Sequence, residues 1–242
     1  MSKGPIAVFG LAALIAVLPL SSEGPKQPFE QSSTQNIKFA PGGTIRINDS
    51  YGHLTVEGWD EQEVRVTVIK STNSFYDPSQ EEEVAQRFEK IQIATERRSD
   101  NELAITTRLP SRNGTWAPPL RNRTKLGIML EYRILAPRDT HLVVKHDNGY
   151  VWVSDLTADV EVKSHTGDMI VALPDPGAYS IDARTRVGSV SSDWYARNRN
   201  QFLLGTHYAY SDNASKHRIF LRMGRGSITI LKGTPFAPFY KD

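Results

Sequence analysis

The chain has 242 residues, no cysteine, a formal charge of +2 and 39% hydrophobic residues. That composition belongs to a folded chain rather than a disordered one. It excludes disulfides, thiolate metal sites, cysteine nucleophiles and a lipidated N-terminal cysteine, and the small net charge excludes a whole-protein pull towards nucleic acid.

The N-terminus reads as a targeting segment. Lys3 supplies a positive start, and Ile6 to Leu20 is an uncharged, almost wholly apolar run of fifteen residues. Ser21, Ser22, Glu23 and Gly24 follow as a small-residue exit. A membrane span needs about 20 apolar residues, so residues 1–22 are expected to be a signal peptide. An uncleaved anchor is the alternative, and the only membrane attachment the sequence allows. An exported chain without disulfides fits a bacterial periplasm, cell surface or secreted fraction.

Residues 23–36, rich in Ser, Gln and Pro, predict a loose linker, and the domain proper is expected over 37–232. It opens with Ile45/Ile47, Gly52, Leu54/Val56 and Trp59. The alternation Val64, Val66, Val68 predicts a strand. An insertion over 71–124 follows. In it, Asp77-Pro78-Ser79-Gln80 is a helix start, Glu81 to Glu83 suit a first turn, and Val84, Phe88 and Ile91 give a buried stripe. This is the one helix the sequence predicts, over about 78–90. Arg97 to Asn101 reads as a hairpin turn into the alternating strand Leu103 to Leu109. Residues 110–124 form a basic, Pro-rich loop holding Trp116, and Leu126 to Ile134 alternate as a long strand.

From Leu142 one pattern then recurs three times. Each copy has two inward residues one apart, a polar stretch, a Gly, two more inward residues and a bulky apolar close. The glycines are Gly149, Gly167 and Gly188; the leading pairs are Leu142/Val144, Val160/Val162 and Ile181/Ala183; the following pairs are Val151/Val153, Met169/Val171 and Val190/Ser192; the closes are Leu156, Leu173 and Trp194. Residues 195–216 break the pattern as a loop or hairpin excursion. It returns in Ile219/Leu221, Gly226, Ile228/Ile230 and Leu231, before a tail at 233–242. Period-two runs around a Gly bend, repeating every 18 to 21 residues, predict about five stacked rungs of an all-β solenoid.

Three stretches carry a resemblance: GTIRINDSYGHLTVEGWDEQEVRVTV, YRILAPRDTHLVVKHDNGYVWVSDLTADVEVKSHTGDMIVAL and IFLRMGRGSITILKG. Together they resemble the bacterial exported "putative adhesin" domain family, long catalogued as of unknown function, across roughly 37–232. Gly58-Trp59-Asp60, Pro137 and the Asn148-Gly149 bend are its marks. The resemblance implies a single-stranded right-handed β-helix-like solenoid, and it brings no catalytic residues with it.

The outward positions are what remains for function. Asn48, Lys145, Lys163, Arg184 and Arg222 stand four residues before each bend glycine and face away from the core by strand parity. Stacking would turn the basic members into a column. Glu161 and Asp182, two residues earlier, would neutralise part of it; otherwise the column is a strip for an anionic polymer such as lipopolysaccharide or acidic glycan. Tyr150 and Trp152 also face outward, either to stack on sugars or to be covered by a loop. His146 and His165 sit near equivalent bends with Asp147 and Asp168 close by, which would allow a surface metal or an acid–base pair, yet no metal motif, phosphate loop or nucleophile elbow is present. The expectation is therefore a non-enzymatic exported adhesin or envelope-associated binding protein without cofactor or metal. Its partners would be surface or envelope glycans or an envelope protein, and not nucleic acid. A carbohydrate-active lyase or hydrolase on a β-helix scaffold, and an envelope scaffold or sensor partner of a membrane regulator, are the alternatives.

Overall fold

The computed structural model describes residues 28–48, 51–73, 76–109, 127–175, 178–195, 198–202, 204–211 and 214–233. The segments expected to be a signal peptide and a 110–124 loop with Trp116, and the residues beyond Gly233, lie outside them. The described chain is all-β with one short helix. Its strands are β1 (Glu30–Lys38), β2 (Thr44–Asn48), β3 (Tyr51–Trp59), β4 (Glu63–Thr72), β5 (Gln92–Ser99), β6 (Glu102–Arg108), β7 (Ile128–Pro137), β8 (His141–Ser154), β9 (Val160–Leu173), β10 (Tyr179–Val187), β11 (Val190–Ser192), β12 (Asn198–Phe202), β13 (Gly205–Ser211) and β14 (His217–Lys232), and α1 is Glu81–Glu89. Among the described residues, all 14 strands belong to one open sheet.

That sheet is folded along a line of glycines into two wings. β8, β9 and β14 run through the fold, so each has a half in both wings. The first wing runs β5, β6, β2, β8, β9, β14, β10, β13, β12, and the second runs β1, β4, β7, β3, β8, β9, β14, β11. Gly52 is opposite Gly149, Gly149 opposite Gly167 and Gly167 opposite Gly226. All have φ between 120° and 135°, as does Gly188 at 130°. The conformation is only half the reason for glycine. A Cβ on Gly167 would stand 1.7 Å from the carbonyl oxygen of Gly149, and one on Gly226 would stand 1.6 Å from that of Gly167. The bends stack peptide on peptide with no room for a side chain.

The inward pairs meet between the wings. Ile45, Leu142, Val160, Ile219 and Ile181 form one buried row, and Leu54, Val151, Met169, Ile228 and Val190 form another, each residue at most 1% exposed. Burying each such side chain stabilises by about 1.5–3 kcal/mol, and the two rows make the bend the natural way to cover both faces with one sheet. Val84, Phe88 and Ile91 of the helical segment join the same core. Lys70 holds that helix's end, donating to the carbonyls of Phe88 at 2.7 Å and Ile91 at 2.9 Å. A 3-10 turn over Pro78–Gln80 leads into it, so the α-helix proper begins at Glu81, three residues later than the Pro78 start that the sequence predicts. Gln80 takes the N-cap position without a side-chain cap bond to the helix, and its side chain instead accepts from the Asp77 amide at 3.2 Å.

Three expectations change. The rungs do not stack in sequence order. β14 pairs parallel with β9 on one side and with β10 on the other, so the fifth pass lies between the third and the fourth. Residues 30–36 are not linker but part of edge strand β1, antiparallel to β4. Its residues are almost all exposed, so backbone pairing holds it and no apolar alternation announces it. Two of the closing residues do not close the core: Trp59 and Leu231 are half-buried, whereas Leu156, Leu173 and Trp194 are buried. The hairpin excursion over 195–216 is present as β12 and β13, which extend the first wing beyond β10.

The Gly58-Trp59-Asp60 turn has its own packing reason. A Cβ on Gly58 would stand 2.0 Å from the carbonyl oxygen of Asp155, itself at φ 58°. Trp59 Nε1 donates to the Glu63 carbonyl at 2.8 Å, and Arg138 Nε donates to Asp60 Oδ1 at 2.7 Å. The motif ties the first rung to the turn that enters the second.

Two glycine substitutions separate the constraints. Gly42 has φ +71°, and a Cβ added there would meet nothing within 4 Å, so Gly42→Ala should cost about 1–2 kcal/mol, the left-handed penalty alone. Gly167→Ala meets a backbone oxygen, and should cost more than about 4 kcal/mol or prevent folding. Denaturant unfolding of both variants checks the contrast; equal losses would contradict it.

Candidate functional site

The outer surface of the first wing brings the predicted basic column together, in a different order. The register runs Asn48, Lys145, Lys163, Arg222, Arg184 and His207 on six neighbouring strands. Arg222 therefore stands between Lys163 and Arg184. Neighbours in such a row are about 4.8 Å apart. The row two residues earlier is Arg46, Val143, Glu161, Phe220, Asp182 and Ala209. Over the first-wing parts of β8, β9, β14 and β10 there are seven Lys or Arg and three Asp or Glu, so this part of the sheet carries an excess of positive charge.

The members differ in how their charge is met. Lys163 Nζ lies 2.5 Å from Glu161 Oε1. Arg222 is held on every side: Nη2 donates to Asp182 Oδ2 at 2.6 Å, Nη1 donates to Asp182 Oδ1 at 3.1 Å, and Cζ lies 3.8 Å from the Phe220 ring centre. His207 Nε2 approaches the same carboxylate at 3.0 Å. Asp182 is thus a node joining β10, β14 and β13. Partial burial works against its charge, but hydrogen bonds from Arg222 and His207, and their charges, outweigh that and hold its pKa below the ordinary 3.8. Strand parity pairs Asp182 with Arg184; the insertion of β14 gives it to Arg222 instead. Lys145 is exposed, has Val143 rather than an acid two residues before it, and makes no ion pair among the described residues.

The other candidates are dispersed. Tyr150 is half-buried, its hydroxyl pushed up to about 12 by burial and the nearby Asp168 charge. Trp152 faces away from Val151 and Val153, yet it is only 3% exposed, and its indole N–H has no acceptor among the described residues. It is not open to a sugar ring. His146 is buried on the inner side while His165 is exposed on the outer side, so the two do not pair. Asp168 accepts from the Ser227 amide at 3.2 Å and hydroxyl at 2.5 Å on the outer side of the second wing.

A second charged group surrounds Arg138 at the turn before β8. Arg138 donates to Asp60 and lies 3.5 Å from Asp155 Oδ1, while burial and the Asp155 charge push Glu57 upward. No local pattern announces this group, because it joins the first rung to a turn residue and to the end of β8. No group of three or more ligating side chains suited to a metal ion occurs among the described residues. No helix among them is long and apolar enough to cross a membrane.

No family model and no curated protein matches the chain. Among solved structures it is similar to a "putative cell adhesion protein" from Clostridium sporogenes, at 16% identity and a TM-score of 0.47, over 85% of this chain and 100% of that one. It is also similar to a "putative adhesin" from Bacteroides fragilis, at 13% identity and a TM-score of 0.28, over 83% of this chain and 97% of that one.

The Asp182 node sets a pH response. A carboxylate held below its ordinary pKa stabilises the fold above that ordinary value, and the contribution is lost as pH falls through the folded value. Stability should therefore drop below about pH 4 in the wild type, and less steeply in Asp182→Asn. Thermal melts between about pH 5 and 2 measure this, and parallel acid limbs would show the node to be idle.

Proposed function

We propose that this chain is a non-enzymatic, exported protein of the cell envelope that binds through the outer face of the first wing, as an adhesin does. The basic row supports this reading. It is built on the most regular part of the sheet, and it keeps Lys145 clear of any ion pair among the described residues. A row fixed by backbone register needs no backbone ordering on binding, so the ordering cost is confined to its side chains. Export rests on the Lys3 and Ile6–Leu20 segment. The solenoid reading is supported by the parallel, in-register glycine bends of the first three passes, with the displaced fifth pass as its departure.

The enzyme alternative needs carboxylates converging on one cleft. Asp155, Asp168 and Asp182 instead occupy a turn, the outer side of the second wing and the outer side of the first. The binding reading predicts that purified protein sediments with washed bacterial envelopes, and that rising salt releases it as screening shortens the reach of its charges. It predicts no release of reducing or unsaturated sugar. Protein left in the supernatant at low salt would refute binding, and sugar release would favour the enzyme.

A further inference from the structure

We infer that the ligand of the first wing is a linear acidic glycan with one carboxylate per sugar, lying across the strands along the row Lys145, Lys163, Arg222, Arg184. This rests on the binding reading above and names its chemistry.

Three observations carry it. The first is pitch. Adjacent row members are one strand apart, about 4.8 Å, which is close to the length of one pyranose in an extended chain. Lys145 to Arg184 is three such steps, about 14 Å, so a stretch of about four uronates would span the row. The second is the division of labour within the row. The planar head of Arg222 is already committed to Asp182, the Leu221 carbonyl and the Phe220 ring. It is a positioning residue, and it keeps Asp182 turned towards β14. Contact falls to Lys145 and Lys163 on one side and Arg184 on the other, with Arg186 exposed two residues beyond. The third is the lack of an apolar wedge. Phe220, the one Phe, Tyr or Trp on this face of β8, β9, β14 and β10, lies under Arg222, with Arg218 Cζ 5.0 Å and Lys163 Nζ 5.4 Å from its centre. A surface that docks on lipid buries aromatic and aliphatic side chains among the headgroups; the apolar members of this one, Val143 and Phe220, are half-buried among its charges.

The acids on the face set the expected strength. Glu161 meets Lys163, Asp182 meets Arg222, and Asp147 lies two residues beyond Lys145. Binding should therefore be weak per sugar and depend on chain length and salt.

The test uses the purified protein on immobilised polygalacturonate, with dextran as the uncharged glycan and phosphatidylglycerol vesicles as the lipid source of anions. Expected is salt-sensitive retention on polygalacturonate, none on dextran and little on vesicles, with competition by oligogalacturonates that strengthens up to four sugars. Lys145→Glu/Arg184→Glu should lose about tenfold in retention, and the matched reversal Lys38→Glu/Lys90→Glu, away from this face, should lose less than about twofold. Lys145→Ala/Arg184→Ala, with circular dichroism as the check of folding, gives a milder version with the same direction. Equal loss in both reversal pairs, stronger retention on vesicles, or no retention on polygalacturonate would each overturn the inference. Envelope sedimentation that persists without polygalacturonate binding would overturn the ligand and leave the binding reading standing; loss of both would remove the binding reading as well.

Discussion

Backbone stacked on backbone along one line holds the whole architecture. At Gly149, Gly167 and Gly226 the place of a side chain is taken by the carbonyl oxygen of the neighbouring pass. That contact fixes register, because a slip of one residue would put a Cβ into the occupied space. Fixed register aligns the apolar rows on the inside. The same alignment then sets Lys145, Lys163, Arg222 and Arg184 in a line on the outside without any side chain being required to arrange it. The surface row is a by-product of core geometry, and only the choice of residues at its positions is free.

That freedom has been used unevenly. Arg222 and Asp182 fasten β14 to β10, with Phe220 as a platform, and His207 extends the node to β13. These side chains secure the part of the sheet where sequence-distant strands meet. Lys145 lies on the opposite flank, between β2 and β9, where glycine stacking already secures the pairing. Charge that the fold does not consume collects there.

Most of the fold could be read from alternation and glycine spacing, because both report local geometry. The inward pairs, the bends, the helix stripe at Val84, Phe88 and Ile91, and the strands at 63–72 and 128–137 all follow from it. What could not be read is non-local. Strand β1 has polar side chains on both faces, so nothing in Glu30–Lys38 distinguishes it from a linker. The position of β14 is equally silent, since Ile219, Leu221, Ile228 and Ile230 would fill the core equally well at the end of the stack or inside it. The site suffered from the same gap. The residues of the basic column are legible, but which acid serves which base depends on strand order, and the choice between an open and a covered Trp152 is not, because parity gives direction and not cover.

The position of β14 has a consequence in time. Its strand is the last of the described strands to emerge during synthesis, and it occupies the middle of the stack, between β9 and β10. Until it arrives, those two strands present open parallel edges, and the apolar rows on either side have no centre. A chain emerging from its N-terminus would therefore keep this part of the sheet open until β14 had followed. The order of the strands makes arrival of the last described strand the step that closes the sheet.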